Sequence, residues 1–245
     1  MTRAVVVTGG TRGIGRAVSL AQAAQGDTVF ALYARNRAAA GELAAEAAAR
    51  GLDVRCLRGD LTREDALAES VRAILDAAPA VHGVVHAAAS GVHRPAFELT
   101  PKHLRFTFET NVIAIHALLC ELLPRMPAGG RIVGLTSAGS VRTAPFYAGV
   151  GSSKAALESL FRHYAVELAP RGITVNLVSP GLVLTGALDA FPDRDGRIEE
   201  AERLTPTGRL TRPEEVAEVV RFLLGEAAAQ ITGQTLAIDG GRGLF

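Results

Sequence analysis

The sequence predicts an α/β fold: one domain built on a doubly wound sheet of seven parallel strands. Three observations carry this reading. Short β-branched runs alternate with helical-period stretches along the whole chain. A glycine-rich turn joins the first run to the first helical stretch. The chain has 245 residues, of which 48% are hydrophobic, enough for one sizeable core. No linker or low-complexity tract divides it.

The elements follow in order. Ala4-Val5-Val6-Val7 opens a strand over 4–8, buried on both faces because it lacks polar alternation. A helix over 13–25 follows the glycine turn. Strand 28–33 precedes the Ala-rich stretch 38–49, which carries Glu42 and Glu46 at helical spacing and so belongs to a helix over 37–50. Strands 53–57, 82–87, 131–136, 173–178 and 234–238 complete the sheet. Helices over 62–77, 100–123, 147–169 and 213–225 lie between them. Residues 186–210 break this rhythm with Pro192, Asp193, Asp195, Gly196 and Pro206. A long polar excursion inside a compact domain reads as a substrate lid or binding loop.

Composition excludes several function classes. Twenty-six basic residues almost balance 25 acidic ones, so no global field recruits nucleic acid. The first strand begins too early for a secretory signal, and no apolar run reaches transmembrane length. Cys56 and Cys120 are far apart in apolar settings and read as reduced core thiols. No His, Cys or carboxylate cluster has metal spacing. The expectation is a cytoplasmic protein.

The first strand ends in Thr8-Gly9-Gly10-Thr11-Arg12-Gly13-Ile14-Gly15. Gly9 permits the tight turn, Gly13 lets backbone approach a phosphate, and Gly15 lets helix and strand pack closely. Helix N–H groups then face a pyrophosphate, so a Rossmann-like dinucleotide site is expected. At the end of the second strand an NAD site has an acid for the ribose hydroxyls. Here Tyr33-Ala34-Arg35-Asn36-Arg37 holds none. Arg35 and Arg37, with Arg12 in the glycine loop, suit a 2′-phosphate, so NADPH is the expected cofactor. The alternative is that Arg35 and Arg37 are only solvated.

The T-G-x-x-x-G-x-G spacing resembles the short-chain dehydrogenase/reductase superfamily over essentially the whole chain. That resemblance implies cofactor contacts from Gly9, Thr11, Arg12, Gly13, Ile14, Gly15, Arg35, Asp60, Leu61, Ala88, Lys154, Pro180, Gly181, Val183 and Thr185. One departure stands after the fourth strand, where the superfamily has Asn-Asn-Ala-Gly and this chain has His86-Ala87-Ala88-Ala89. His86 reads as an acid or base, or more simply as a core histidine bonded to backbone.

The second departure is catalytic. Thirteen residues beyond Ser137, where most members place a tyrosine four before the lysine, stands Val150. Tyr147 instead precedes Lys154 by seven. On a helix, Val150 would lie about 6 Å and Tyr147 about 10.5 Å along the axis from Lys154. Tyr-x6-Lys resembles enoyl-acyl-carrier-protein reductases, closest to the third bacterial type. Ala88-Ala89-Ser90-Gly91-Val92, Arg94-Pro95, Ser153-Lys154-Ala155-Ala156-Leu157-Glu158 and Ala187-Leu188-x-x-Phe191-Pro192 extend the match. So do Thr205-Pro206-x-Gly208-Arg209 and Asp239-Gly240-Gly241-Arg242.

The resemblance implies NADPH-dependent reduction of the C2=C3 bond of 2-enoyl thioesters on acyl carrier protein or coenzyme A, in fatty acid or polyketide-type synthesis. In such a substrate hydride goes to C3 while charge collects on the thioester oxygen, so the proton donor must reach further than in a ketone. Tyr147 would stabilise that oxygen. Lys154 would hold the nicotinamide ribose and supply a positive field. Ser137 either positions substrate or orders the turn; Asn111 either supports a bent helix or takes part in a proton relay. Ala148, Gly149, Gly151 and Ser152 are expected to leave space for the acyl chain. Leu157, Leu160, Phe161 and Tyr164 give the last long helix more apolar surface than one core needs, and the family implies a homotetramer. A carbonyl reductase with a relocated tyrosine and a non-catalytic NADP-binding regulator are the alternatives.

Overall fold

The computed structural model describes residues 2–186, 188 and 193–244. Seven strands form one parallel sheet in the order β3-β2-β1-β4-β5-β6-β7. They are β1 (Ala4–Thr8), β2 (Thr28–Tyr33), β3 (Val54–Arg58), β4 (Gly83–His86), β5 (Arg131–Leu135), β6 (Thr174–Pro180) and β7 (Thr235–Ile238). The helices are α1 (Gly13–Ala23), α2 (Arg37–Ala49), α3 (Glu64–Ala77), α4 (Pro101–Phe108), α5 (Ala114–Leu122), α6 (Ala148–Leu168), α7 (Arg194–Leu204) and α8 (Pro213–Leu224).

Period-two alternation sends neighbouring strand residues to opposite faces, and each face carries its own core. On one, Val6, Phe30, Val84, Ile132 and Val175 meet Ile115, Leu118, Leu157 and Phe161 of α5 and α6. On the other, Val5, Val7, Val85 and Val133 meet Val18 of α1 and Val216, Val220 and Leu223 of α8. Strand order reverses between β1 and β4, which opens a crevice at their C-terminal ends.

Three sequence expectations need correction. The excursion over 186–210 contains α7. Its sequence is polar all round, with only Ala201 buried, so it lacked the apolar stripe by which a helix is read. It is started by Asp193, whose side chain accepts from the Gly196 N–H at 3.2 Å. Ala187, Phe191 and Pro192 of the family match lie outside the described residues. Second, the span 101–125 is long and apolar enough to cross a membrane, contrary to expectation, but Ile115, Leu118, Leu119 and Leu122 within it are fully buried against the sheet. It is also interrupted by a π-turn at Glu109–Ile113. Third, Cys120 is exposed on α5, 3.7 Å from His116 Nε2, and only Cys56 is partly buried.

Candidate active site

A cleft of about 640 Å³ lies over the strand ends, bounded by the glycine turn, the β2–α2 turn, the loop after β4 and the start of α6. The glycine turn is a built cradle. Gly9 and Gly13 have φ of +65° and +52°, conformations that L side chains rarely adopt. A Cβ on Gly9 would stand 2.8 Å from Ala88 Cα, and one on Gly15 would collide with the Gly9 carbonyl. No side chain caps α1, whose N-cap is Arg12, so its first N–H groups remain available to an anion. These features fit a dinucleotide pyrophosphate.

Gly9, Thr11, Arg12, Gly13, Ile14, Gly15, Arg35, Asp60, Leu61, Ala88, Lys154, Pro180 and Thr185 all line the cleft, as does Tyr147. Arg37 does not: it begins α2 and is exposed, leaving Arg12 and Arg35 as the cationic pair there. Asp60 Oδ1 is held by the N–H and hydroxyl of Thr62, at 3.2 and 2.7 Å, which fixes the carboxylate at the wall. Gly181 and Val183 flank the cleft without lining it. The Gly181 N–H donates to the Ile238 carbonyl at 3.0 Å, and Val183 is buried in a bridge to Thr211.

Lys154 is only 4% exposed, and Nζ donates to the Leu135 carbonyl at 2.7 Å. Burial lowers its pKa to about 8, opposed by the Glu158 carboxylate. Glu158 sits one helical turn on and accepts from the Thr136 hydroxyl at 2.7 Å. Its place four residues after the lysine is the signal in the sequence that puts a carboxylate on the same helix face.

Tyr147 is the N-cap of α6 and not a residue within its helical stripe. Its hydroxyl is 3.2 Å from Ser137 Oγ, which also accepts from the Gly139 N–H at 3.2 Å. Burial raises the phenol pKa, partly offset by Ser137, so the proton stays on the oxygen. A Cβ on Gly139 would enter the Tyr147 ring, and one on Gly151 would meet the Gly139 carbonyl. The small residues of this turn therefore accommodate the tyrosine itself; the space expected for an acyl chain at Gly149 faces Leu99, Leu104 and Thr107. Phe146, just before, has φ +63°, a conformation that costs a non-glycine residue about 1 kcal/mol or more.

Asn111 braces three elements. Its Oδ1 accepts from the Ser90 N–H at 2.8 Å, and Nδ2 donates to the Ser90 carbonyl and Ser153 Oγ, each at 2.9 Å. Its main-chain carbonyl faces His86 Nε2 at 3.2 Å. A carbonyl only accepts, so Nε2 carries the proton and Nδ1 accepts from the Thr8 hydroxyl at 2.8 Å. Thr8 Oγ1 in turn accepts from the Ala88 N–H. His86 is thus the backbone-bonded core histidine of the simpler reading, with its pKa lowered to about 3, first by burial and then by Lys154. It replaces the missing amide as the tie between β1, β4 and the π-turn. Val150, at the common tyrosine position, is buried directly beneath Gly91, whose missing Cβ leaves room for it. No group of three metal-ligating side chains occurs among the described residues.

A family model described as enoyl-(acyl carrier protein) reductase matches residues 9–242. The chain is 34% identical over 238 residues to the 1-cyclohexenylcarbonyl-CoA reductase of Streptomyces collinus, covering 96% of this chain and 85% of that protein. It is also 34% identical over 246 residues to a 3-oxoacyl-[acyl-carrier-protein] reductase of Aggregatibacter actinomycetemcomitans, covering 98% and 99%. A solved short-chain dehydrogenase/reductase from Serratia marcescens superposes with a TM-score of 0.91 at 31% identity, over 98% of each chain.

Proposed function

The chain belongs to the short-chain dehydrogenase/reductase superfamily, and from that premise we propose that it is an NADPH-dependent enoyl thioester reductase. Its substrates would be 2-enoyl chains on acyl carrier protein or coenzyme A, in fatty acid or polyketide-type synthesis, and its working form a cytoplasmic homotetramer. The observation that carries this reading is the exchange of positions at the start of α6. The phenol stands at Tyr147, protonated and against Ser137, while position 150 holds a valine sealed under Gly91.

When bound, NADPH supplies the hydride that reaches C3 of the substrate. Arg12 and Arg35 face the end of the cleft where a 2′-phosphate would lie, with no acidic side chain on the β2–α2 turn to repel it. The N-terminus of α1 and the Gly9–Gly15 cradle hold the pyrophosphate. Lys154, charged at neutral pH, donates to ribose hydroxyls and lends a positive field to the developing enolate. Tyr147 keeps its proton on Oη and donates a hydrogen bond to the thioester oxygen as charge collects there. A proton taken up at C2 from solvent would then complete the saturated chain. Ser137 orients the phenol, and the Thr136–Glu158 pair supports the lysine.

A carbonyl reductase is the second reading, favoured by the likeness to a 3-oxoacyl thioester reductase. Side-by-side NADPH oxidation with crotonyl-CoA and acetoacetyl-CoA separates the two. The expected result is turnover of crotonyl-CoA, with Tyr147→Phe lowering kcat roughly 10²–10³-fold, the usual effect of losing one oxyanion donor. Turnover of acetoacetyl-CoA alone would transfer the assignment to ketone reduction, and turnover of neither to a non-catalytic NADP-binding regulator.

A further inference from the structure

The Pro145-Phe146-Tyr147 turn carries the phenol, and two neighbours bear on it. From α7, Arg197 Nη2 donates to the Pro145 carbonyl at 3.1 Å. From the loop after β4, the His93 imidazole comes near the Phe146 backbone, which favours its protonated form. The same imidazole stacks on the phenol ring, with centroids 5.9 Å apart and planes 21° from parallel. His93 does not line the cleft; it lies behind the tyrosine. The loop that bears it is itself fixed, because Asn111 grips both backbone groups of Ser90.

We propose that His93 is the positioning residue for Tyr147, holding the phenol ring by its face. The inference rests on the reading of Tyr147 as the hydrogen-bond donor. An N-cap tyrosine is not locked by a preceding helical turn, so its ring orientation is set by what touches it. Gly139 meets one edge and Ser137 the hydroxyl; the stacked imidazole closes the face, in the offset arrangement that aromatic pairs favour. His93 is not among the residues that line the cleft, whereas the phenol is. Burial, ahead of the charge of Arg197, lowers the imidazole pKa, so the ring that stacks is neutral at working pH.

A double-mutant cycle with crotonyl-CoA and NADPH tests this. In the wild-type background His93→Ala should lower kcat about tenfold or more, as a misplaced donor does. The NADPH KM should stay within about twofold, and His93→Phe, which keeps a ring, should lie nearer to wild type. In the Tyr147→Phe background His93→Ala should change kcat by less than about twofold, because no donor remains to be positioned. Equal losses in both backgrounds would reduce His93 to a packing residue and overturn the proposal. So would a His93→Ala enzyme with full kcat beside a slow Tyr147→Phe enzyme, which leaves the reading of Tyr147 intact. A Tyr147→Phe enzyme at full rate would overturn that reading and this proposal together.

Discussion

Two buried bases, Lys154 and His86, lie close enough for the charge of one to depress the pKa of the other. Burial pushes both toward neutrality, but only Lys154 has a carboxylate to oppose it, and the pair separates to about 8 and about 3. At neutral pH the lysine is charged and the histidine is not. The sign of the pH dependence follows. Below about 8 the free protein presents an ammonium to the cofactor; above it, a neutral amine. The NADPH association constant, measured by fluorescence titration, should hold between pH 6.5 and 7.5 and decline above 8, by up to tenfold per unit. A constant affinity to pH 9.5 would remove Lys154 as the charged anchor. The histidine's neutral state was legible from its apolar strand. Its partners were not, because Thr8 and Asn111 are distant in sequence and meet only through the sheet order.

At the scale of elements, helical spacing predicts one continuous stripe at the start of α6, and the structure divides it. Tyr147 precedes the helix and is governed by a turn with positive φ at Phe146. No residue type announces that conformation here, so the spacing to Lys154 was legible while the geometry of the turn was not. Position 150 faces inward. A Val150→Tyr substitution therefore forces a phenol beneath Gly91 and against the Asn111-braced loop. Overpacking of this kind costs about 1–3 kcal/mol, which for a chain this long lowers Tm by a few degrees. Calorimetry should record that fall, and acetoacetyl-CoA reduction should not rise. A variant with wild-type Tm and increased ketone reduction would show that the common tyrosine position remains open. The strand positions are legible to within two residues because the runs of the five inner strands are almost wholly buried; the edge strands β3 and β7 are partly exposed and are marked by their place in the alternation. Helix α7 escaped because it is held through backbone carbonyls, by Arg242 at Glu200 and Ala201, instead of through an apolar stripe.

At the scale of the whole molecule, α6 turns most of its apolar residues inward. Leu157, Phe161 and Tyr164, expected to be surplus apolar surface, are spent in the chain's own core. Exposed apolar side chains on α4, the π-turn and α6 include Leu104, Phe106, Ile113 and Val166, at 36%, 39%, 47% and 75%. Light scattering at working concentration is expected to give a homotetramer; a monomer would confine the assembly expectation to other members of the superfamily. Fold class was legible throughout because the alternation of elements spans the chain. The cleft was legible at its cofactor end, where motifs are local, and less so around the phenol, where four separate segments converge.

The packing of α8 against α1 has a consequence in time. Val18 on the first helix finds its cover in Val216, Val220 and Leu223, some two hundred residues later. During synthesis at about 5–20 residues per second, that face emerges long before its cover exists. The glycine cradle is therefore made early but stays attached to an unfinished surface, and its cover arrives only once α8 has left the ribosome. A chain interrupted before Pro213 would carry every residue assigned to NADPH and still present the apolar side of α1 to solvent and to other nascent chains. Translation thus closes this face only when α8 is laid back onto α1, the helix that starts at the dinucleotide cradle.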